Sequence, residues 1–375
     1  MLVLSRLNVW TREMAVRLAE YVVSYSLETN SRCLRYLAEM QPLVHISGDG
    51  PVSGSTDGPL EADLEPDAIF VENILARDCR RLCGMWSLVG RVFNALKLVD
   101  QDDHLDHHVA LINEIAERLT EQSAIQRLTL KLASQATEDE EAGRLMQLAR
   151  LLPVAPGPAW AELNDVFADD SALWRDHSQL VSLPDQALLD AVRRTYRQGY
   201  KLKKALLVDQ RGKKAKKGQK RAILRPGSEY ERLCGSLGTA AQELVHHLEL
   251  LRPGLSDKGK RVLWYVDKLA EALRLQSTLT SLKAALPVDL DAADRTFVED
   301  YLSMQQKKVR KRIELLLNDA YPVKHKRMGK LLEESAASLG VQGITSLSSR
   351  PASRQAAQAE VATEMTTDKT GTDHE

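Results

Sequence analysis

The stretch 71-VENILARDCRRLCGMWSLVGRVF-93 sets the fold class, because its apolar residues recur with the period of an α-helix. Intervals of three, four and seven residues place side chains on one helix face, which then needs a partner to cover it. We therefore expect a long helix from about residue 67 to residue 98 that packs against other helices. Its stripe is nearly heptad-regular and consists of Leu75, Leu82, Met85, Val89, Val92 and Leu96.

Similar stripes run through most of the 375-residue chain, and no segment alternates apolar and polar residues over the length of a strand. Leu, Ala, Glu, Lys, Arg and Gln, which favour helices, are plentiful. The sequence therefore predicts an all-α protein. Further helices are expected at about 9–42, 103–121, 123–136, 138–152, 159–167, 184–209, 228–252, 257–286, 291–319 and 323–338.

Breaks in the periodicity divide these helices into two sets. A Gly-rich connector at 46–62 follows the first helix, and the breaker 153-PVAPGP-158 separates the two sets. Each stripe is one face wide and most connections are short, so neighbouring helices should be antiparallel. We expect a helical domain over 1–338 built from two stacked four-helix bundles, at about 9–152 and 184–338.

Several features of the sequence bear on the compartment. No apolar run approaches the roughly 20 residues that a membrane span requires. The N-terminus breaks its apolar start at Arg6 and Arg12 and has no cleavage site of small residues. Four cysteines do not make a disulfide framework in a chain of this length. We expect a cytoplasmic protein with no membrane partner. Its tail, 339–375, has too few large apolar side chains to fold and is expected to be disordered.

The net charge of −1 conceals a strong segregation of charge. From Arg193 to Arg225 the chain carries fourteen Lys and Arg but a single acid, Asp209. This basic cluster has two parts, a ridge on the helix 184–209 and the glycine-punctuated loop 211-RGKKAKKGQKR-221. Apolar residues occupy the other side of the helix, so the core should hold the ridge in place. The ridge residues repeat at intervals of four, four and three: Arg193, Arg197, Lys201 and Lys204.

A run of charge is usually a solvated surface, but the density of this cluster favours a partner. Uncompensated positive charges repel one another, and a polyanion would relieve this repulsion and release counterions on binding. We therefore expect a polyanion ligand, with Arg80 and Arg81 assisting from the helix 67–98. The main contact residues should be Arg193, Arg194, Arg197, Lys201, Lys203, Lys204, Lys213, Lys214, Lys216, Lys217, Lys220 and Arg221.

Other motifs do not indicate a metal site or catalysis. His104 and His108 share a helix face, but a metal site needs further ligands, and the nearby carboxylates are typical of a helix start. The run 254-GLSDKGKR-261 departs from the phosphate-loop pattern at Arg261 and follows no predicted strand. The sequence contains no nucleophile elbow and no zinc-protease motif. We expect no metal, no cofactor and no enzymatic activity.

Three segments together resemble the CHAD family, the conserved histidine α-helical domain proteins. The segment 189-LDAVRRTYRQGYKLKKALL-207 resembles the mid-domain TYRRGR helix of that family. The segments 71–93 and 228–286 resemble its first and second motifs, so the likeness covers about residues 10–320 in layout. The resemblance implies two four-helix bundles related by a pseudo-two-fold axis, with a basic surface that binds inorganic polyphosphate. The mid-domain positions that match are Thr195, Tyr196, Arg197 and Gly199.

Both basic motifs depart from the family pattern. In the first, Arg80, Arg81 and Leu82 match, whereas Asn73 stands at the histidine position and Ala76 and Cys83 at arginine positions. In the second, Glu249 matches and His246 stands at a tyrosine position. The basic or histidine positions there are occupied by Gly235, Gly238, Gln242, Glu243 and Val245.

The resemblance therefore implies a polyphosphate-binding protein, located in the cytoplasm or on polyphosphate granules. Two alternatives stay open. Non-specific nucleic-acid binding would use the same lysines, although aromatic residues are only 5% of the chain, which leaves few platforms for base stacking. A helical scaffold that binds other proteins, and has lost the ligand, would explain the missing motif residues.

Overall fold

The computed structural model describes residues 17–46, 66–96, 102–152, 160–176, 178–208, 222–224 and 226–339. Within these ranges the fold is all-α, as the sequence predicts. Six helices precede the basic cluster: α1 (Leu18–Ile46), α2 (Pro66–Leu96), α3 (Asp102–Ser134), α4 (Asp139–Leu151), α5 (Trp160–Asp176) and α6 (Ser178–Val181). The later helices are α7 (Asp185–Leu206), α8 (Ser228–Leu250), α9 (Asp257–Ala284), α10 (Ala292–Ala320) and α11 (His325–Ser338).

Helices that follow one another in the chain mostly pack side by side. α2 packs on α3, α3 on α4, α8 on α9 and α9 on α10, while α1 packs on α2 and α5, and α7 on α8 and α11. Contacts of α2 with α7 and α8, and of α3 with α9, join the earlier helices to the later ones. The buried apolar side chains of all these helices therefore form one hydrophobic cluster. No helix in the described ranges has the length and apolar character needed to cross a membrane.

Local sequence explains where two of the long helices begin. The side chain of Ser256 accepts a hydrogen bond from the backbone nitrogen of Gly259 at 3.4 Å, at the start of α9. Asp291 accepts one from the nitrogen of Ala293 at 2.9 Å, at the start of α10. In both places a short polar side chain satisfies a backbone donor that has no partner inside the helix.

The central helices α2 and α8 cross at a glycine. A Cβ atom added at Gly84 would lie 2.6 Å from the Cβ of His246, so a larger residue does not fit between the helices. The neighbouring His247 donates a hydrogen bond from Nε2 to the carbonyl oxygen of Gly84 at 2.9 Å. Both histidines are buried. Close approach of the two backbones and this hydrogen bond together fix where α2 and α8 meet.

A buried carboxylate joins four of the earlier helices. Asp170 on α5 accepts hydrogen bonds from Asn30 Nδ2 on α1 at 2.6 Å and from Trp86 Nε1 on α2 at 2.7 Å. His108 Nε2 on α3 lies 2.8 Å from the same carboxylate. Removing a buried carboxylate from water is costly unless hydrogen bonds replace the lost hydration, as these three do. Asp170 therefore specifies how α1, α2, α3 and α5 fit together.

The structure corrects some helix boundaries. The two helices expected at 103–121 and 123–136 are the single helix α3, because no Gly or Pro interrupts the chain between them. α5 continues to Asp176, past the expected end at 167, because its polar residues Asp170 and Ser171 are buried. α7 ends at Leu206 and runs into an unexpected two-residue strand.

Four expectations about the fold lie outside the described residues: a helical start at residues 9–16, most of the connector 46–62, the breaker 153–158 and the tail from residue 340.

Substituting Gly84 tests the crossing. Gly84→Ala should lower the free energy of unfolding by about 1–3 kcal/mol, because the added methyl group overpacks the contact with His246. The matched control is Gly90→Ala on the same helix, where no atom lies within 4 Å of an added Cβ. That change should raise stability by up to about 1 kcal/mol, through helix propensity. Urea unfolding of both variants checks the prediction, and equal effects would contradict the close crossing.

Candidate anion-binding site

A cavity of about 790 Å³ opens between α2, α3, α8 and α9. We call it the central cleft. The crossing residues Gly84 and His246 line it, so the position of α2 on α8 shapes the cleft. Gly90 on α2 and Gly235 on α8 also line it, and a Cβ added at either would meet open space. Glycine in the middle of a helix weakens the helix, and here it leaves room for the cleft.

The lining of the central cleft is positively charged. Arg80 and Arg91 reach it from α2 and Arg274 from α9, whereas Glu243 on α8 is the one carboxylate among its described lining residues. Arg91 Nη2 donates to Glu243 Oε2 at 2.5 Å, so this carboxylate already has a partner. Arg80, Arg91 and Arg274 therefore outnumber the one carboxylate of the described lining.

Burial lowers the pKa of both Arg80 and Arg274. Burial, followed by the positive charge of Arg274, lowers the pKa of Arg80 to about 10. Desolvation by the cleft wall also lowers the pKa of Arg274, although part of that side chain reaches solvent and Glu271 and Asp267 act in the opposite direction. Two cations on the wall of one cleft make it favourable for an anion to bind between them.

His246 lies on the wall of the cleft close to both arginines. Burial, followed by the charges of Arg81, His247, Arg80 and Arg274, lowers the pKa of His246 well below its ordinary value. For His247, burial lowers the pKa to about 4, and Arg91 adds to this effect against the hydrogen bond to Gly84. Both rings are therefore neutral near pH 7 in the folded protein.

Arg81, an expected contact residue, makes ion pairs instead of lining the cleft. Its Nη1 lies 2.7 Å from Asp78 Oδ1 and its Nε lies 3.1 Å from Glu249 Oε2. The buried Asp78 also accepts from Arg32 Nε at 3.0 Å. This network connects α1, α2 and α8. Of the two arginines expected to assist, the structure places Arg80 in the cleft and Arg81 in the network beside it.

The basic ridge of α7 is rotated slightly from the expected one. Arg193 is partly buried and pairs with Asp190 at 2.8 Å and with Glu333 of α11 at 3.0 Å. A Cβ added at Gly329 would lie 2.5 Å from Arg193 Nε, so α11 is shaped around this guanidinium. Lys203 donates to the carbonyl oxygen of Tyr321 at 3.0 Å. Arg193 and Lys203 therefore help to attach α7 to the end of the chain.

The exposed cations of α7 border the central cleft. Gln198 Oε1, on the same helix, lies 3.4 Å from Nη2 of the cleft residue Arg91. The charged surface beside Gln198 is therefore adjacent to the rim of the cleft. We call the following four residues the α7 ridge: Arg194, Arg197, Lys201 and Lys204.

A small ladder holds the ends of the lysine loop. β1 (Leu207–Val208) pairs antiparallel with β2 (Ala222–Ile223) directly after α7. Arg310 of α10 donates to the carbonyl oxygens of Ile223 at 3.2 Å and Leu224 at 2.6 Å. The loop therefore leaves and re-enters the fold next to the α7 ridge. Six expected contact residues in it lie outside the described residues: Lys213, Lys214, Lys216, Lys217, Lys220 and Arg221.

Two of the matching mid-domain residues are packing residues. Tyr196 is buried and donates its hydroxyl hydrogen to the carbonyl oxygen of Val323 at 2.7 Å. Gly199 lies against Tyr321, because an added Cβ would come within 2.1 Å of the tyrosine hydroxyl. Both residues dock α7 onto the segment between α10 and α11, whereas Arg197 of the same motif is exposed.

Fold and site together define a class: an all-α protein with a cationic cleft between its central helices and a basic ridge at the rim. No family model, curated protein or solved structure matches the chain. In the described part of the chain, no three His, Cys, Asp or Glu side chains gather as metal ligands. His108 contacts Asp170, and the side chain of His104 lies outside the described residues.

Sequence reasoning missed three residues of the site, Arg91, Arg274 and His246. Arg274 lies apart from the basic start of its helix, so nothing local distinguishes it from a solvated arginine. The available signal was the glycines inside the predicted helices, Gly84, Gly90, Gly235 and Gly238. Such positions cost helix stability and therefore indicate close approach or a cavity.

The neutral histidines predict that acid destabilises the protein. Because the folded pKa of each lies below the unfolded value of about 6.5, the unfolded chain binds more protons below that pH. The free energy of unfolding should therefore fall as the pH decreases from 6.5, by up to about 1.4 kcal/mol per pH unit for each ring. Urea unfolding between pH 7.5 and 5 measures this slope.

The matched variants are His246→Gln and His107→Gln, since His107 is an exposed histidine of α3. His246→Gln should reduce the pH dependence of the free energy of unfolding by the contribution of one histidine, and His107→Gln should leave it unchanged. An identical slope in wild type and His246→Gln would show that His246 takes up its proton equally in both states.

Proposed function

We propose that the chain is a non-catalytic polyanion-binding protein with a CHAD-like arrangement of two stacked four-helix bundles, and that its ligand is inorganic polyphosphate. The observation that carries the proposal is the pair Arg80 and Arg274 in the central cleft. Burial lowers the pKa of both guanidinium groups, the charge of Arg274 lowers that of Arg80 further, and a phosphate group between them would stabilise both charges. Guanidinium groups also match the geometry of phosphate oxygens.

The position of the α7 ridge supports a linear ligand. Arg91 lines the cleft and also contacts Gln198, which lies among the ridge cations. Polyphosphate is a thin chain with charge on every unit, so one molecule entering the cleft could continue past Arg91 onto the ridge. The lysine loop begins where the ridge ends and would extend the same path. Each contact releases counterions, so affinity should depend on salt.

Support for the CHAD-like arrangement comes from the helix pairing. The segments that resemble the first and second motifs belong to α2 and to α8 with α9. α2 pairs with α3, α8 pairs with α9, and α2 crosses α8 at Gly84. Equivalent hairpins that meet at their motif helices are what a pseudo-two-fold relation between two bundles requires.

The contribution of the cleft can be separated from that of bulk charge. Arg274→Gln should weaken polyphosphate binding about tenfold to a hundredfold, the usual effect of removing a charged hydrogen-bond donor from a phosphate. Arg274 is an exposed residue, so the fold should tolerate the change. The control is Arg150→Gln on α4, an exposed arginine away from the cleft lining, which should bind like wild type.

Isothermal titration at fixed ionic strength measures both affinities. If Arg274→Gln binds like the control while Lys201→Gln with Lys204→Gln abolishes binding, the ridge alone is the site and the cleft is not used.

Non-specific binding of nucleic acid is the second candidate, because the α7 ridge and lysine loop would attract any polyanion. The cleft disfavours it. Trp86 is its aromatic lining residue in the described ranges, and this ring is buried and stacked on Trp174 at 3.9 Å. A base therefore has no platform there.

A competition experiment distinguishes the two polyanions. At equal phosphate concentration, polyphosphate should displace a fluorescent single-stranded DNA completely, and the same DNA should displace labelled polyphosphate only weakly. Fluorescence anisotropy measures both directions. Equal displacement would mean that only the exposed charges bind and that no polyphosphate-specific site exists.

A scaffold without ligand remains the third candidate, and the ion pairs of Arg81 and Arg193 favour it, because both guanidinium groups serve the fold.

We place the protein in the cytoplasm on polyphosphate granules, as its proposed ligand implies. Replacing the lysines of 211–221 with Gln should reduce binding and granule association. Retention of both would favour the scaffold.

A further inference from the structure

A chain of hydrogen bonds on the cleft wall connects an arginine to a histidine. Arg274 Nη2 donates to Gln242 Oε1 at 2.7 Å, and Gln242 Nε2 lies 3.3 Å from His246 Nε2. A guanidinium has donors only, so it fixes the amide oxygen of Gln242 on its own side. The amide NH₂ of Gln242 must then point at the ring. His246 Nε2 therefore accepts, and the proton of the neutral ring is on Nδ1.

This arrangement cannot accommodate a protonated ring. A proton on Nε2 would point at the NH₂ of Gln242, placing two donors against each other. The contact becomes favourable only if the amide of Gln242 turns by half a rotation and presents its oxygen to His246. That rotation removes the acceptor of Arg274 and leaves its guanidinium available for another acceptor in the cleft.

The groups around His246 explain why the ring is neutral without ligand. α2 brings Arg80 and Arg81 towards it, α9 brings Arg274, and the next residue of α8 is His247. α3 contributes no titratable group to the described cleft lining, and the carboxylate of Glu243 is bound to Arg91. His246 Nδ1 is also buried without a partner in the described residues. Of these groups, Arg80 and Arg274 line the cleft beside the ring, whereas Arg81 is paired with Asp78 and Glu249, so an anion bound at the two cleft arginines would favour the imidazolium.

We propose that polyanion binding in the central cleft is coupled to protonation of His246, with the amide of Gln242 turning from Arg274 to the ring. This inference rests on the proposed function and adds its regulation. The bound anion accepts hydrogen bonds from the released Arg274 and stabilises the imidazolium. The linkage is reciprocal, so a lower pH strengthens binding and binding takes up a proton.

The test is the number of protons taken up when wild-type protein binds long-chain polyphosphate at pH 5.5. The internal units of this ligand stay ionised at that pH, so a proton taken up on binding is bound by the protein and not by the ligand. Calorimetric titration in two buffers with different ionisation enthalpies gives the number directly. We expect uptake approaching about one proton per cleft, and an affinity that rises by up to about tenfold per pH unit lowered.

Two variants identify the group that takes up the proton. His246→Gln should bind without this uptake and with little pH dependence, whereas the exposed control His107→Gln should behave as wild type. Unchanged uptake in His246→Gln would overturn the assignment to His246.

A second measurement on wild type does not depend on the variant folding. In protein labelled with ¹³C at its nine histidines, one buried ring should change from the neutral Nδ1–H form to the imidazolium when polyphosphate is added at pH 5.5. Binding without proton uptake and without this change overturns the coupling but leaves the proposed function standing. Absence of binding at every pH overturns both.

Discussion

The close crossing of α2 and α8 at Gly84 is the constraint on which the rest of the structure depends. It needs a residue without a side chain on α2 and two buried histidines on α8, one of which, His247, donates to the carbonyl oxygen of Gly84. Beside this point, Gly90 on α2 and Gly235 on α8 line open space between the helices. The central cleft is therefore a consequence of how the two helices meet, and α3 and α9 close it on either side.

The same crossing places arginines on the wall of the cleft. Arg80 and Arg81 are adjacent on α2 but serve different purposes. Arg81 is neutralised by Asp78 and Glu249, as a partly buried guanidinium in a stable fold should be. Arg80 lines the cleft together with Arg274, and burial followed by the charge of Arg274 lowers the pKa of Arg80. Shifted pKa values are frequent at functional sites, which is why we propose binding in the cleft with the α7 ridge as its extension.

The fold class was predictable because apolar periodicity is a local property, and the stripe of α2 is complete from Leu75 to Leu96. The end of α5 was not predictable, because an aspartate such as Asp170 is locally typical of a loop. It is buried in a helix here because Asn30, Trp86 and His108 of other helices form hydrogen bonds with it. Charge density identified the ridge residues Arg194, Arg197, Lys201 and Lys204. It also included Arg193, which pairs with Glu333. Local patterns cannot predict this ion pair, because the two residues are 140 positions apart in the sequence.

Local sequence patterns predict the residues of the cleft even less well. Arg80 could be expected from the basic motif, but Arg274 comes from a different helix and becomes its neighbour only through the packing of α9 on α8. The motif residues Tyr196 and Gly199 show the reverse case, since a sequence pattern associated with a ligand surface serves here to pack α7 on Tyr321 and Val323. Which residues of a motif bind and which only pack is decided by tertiary contacts.

The most direct test of the central claim is a crystal structure of the protein with tungstate, a tetrahedral oxyanion whose metal can be located by anomalous scattering. Our account predicts an anomalous peak in the central cleft, between the guanidinium groups of Arg80 and Arg274. Peaks confined to the exposed cations of α7, with an empty cleft at saturating tungstate, would contradict it.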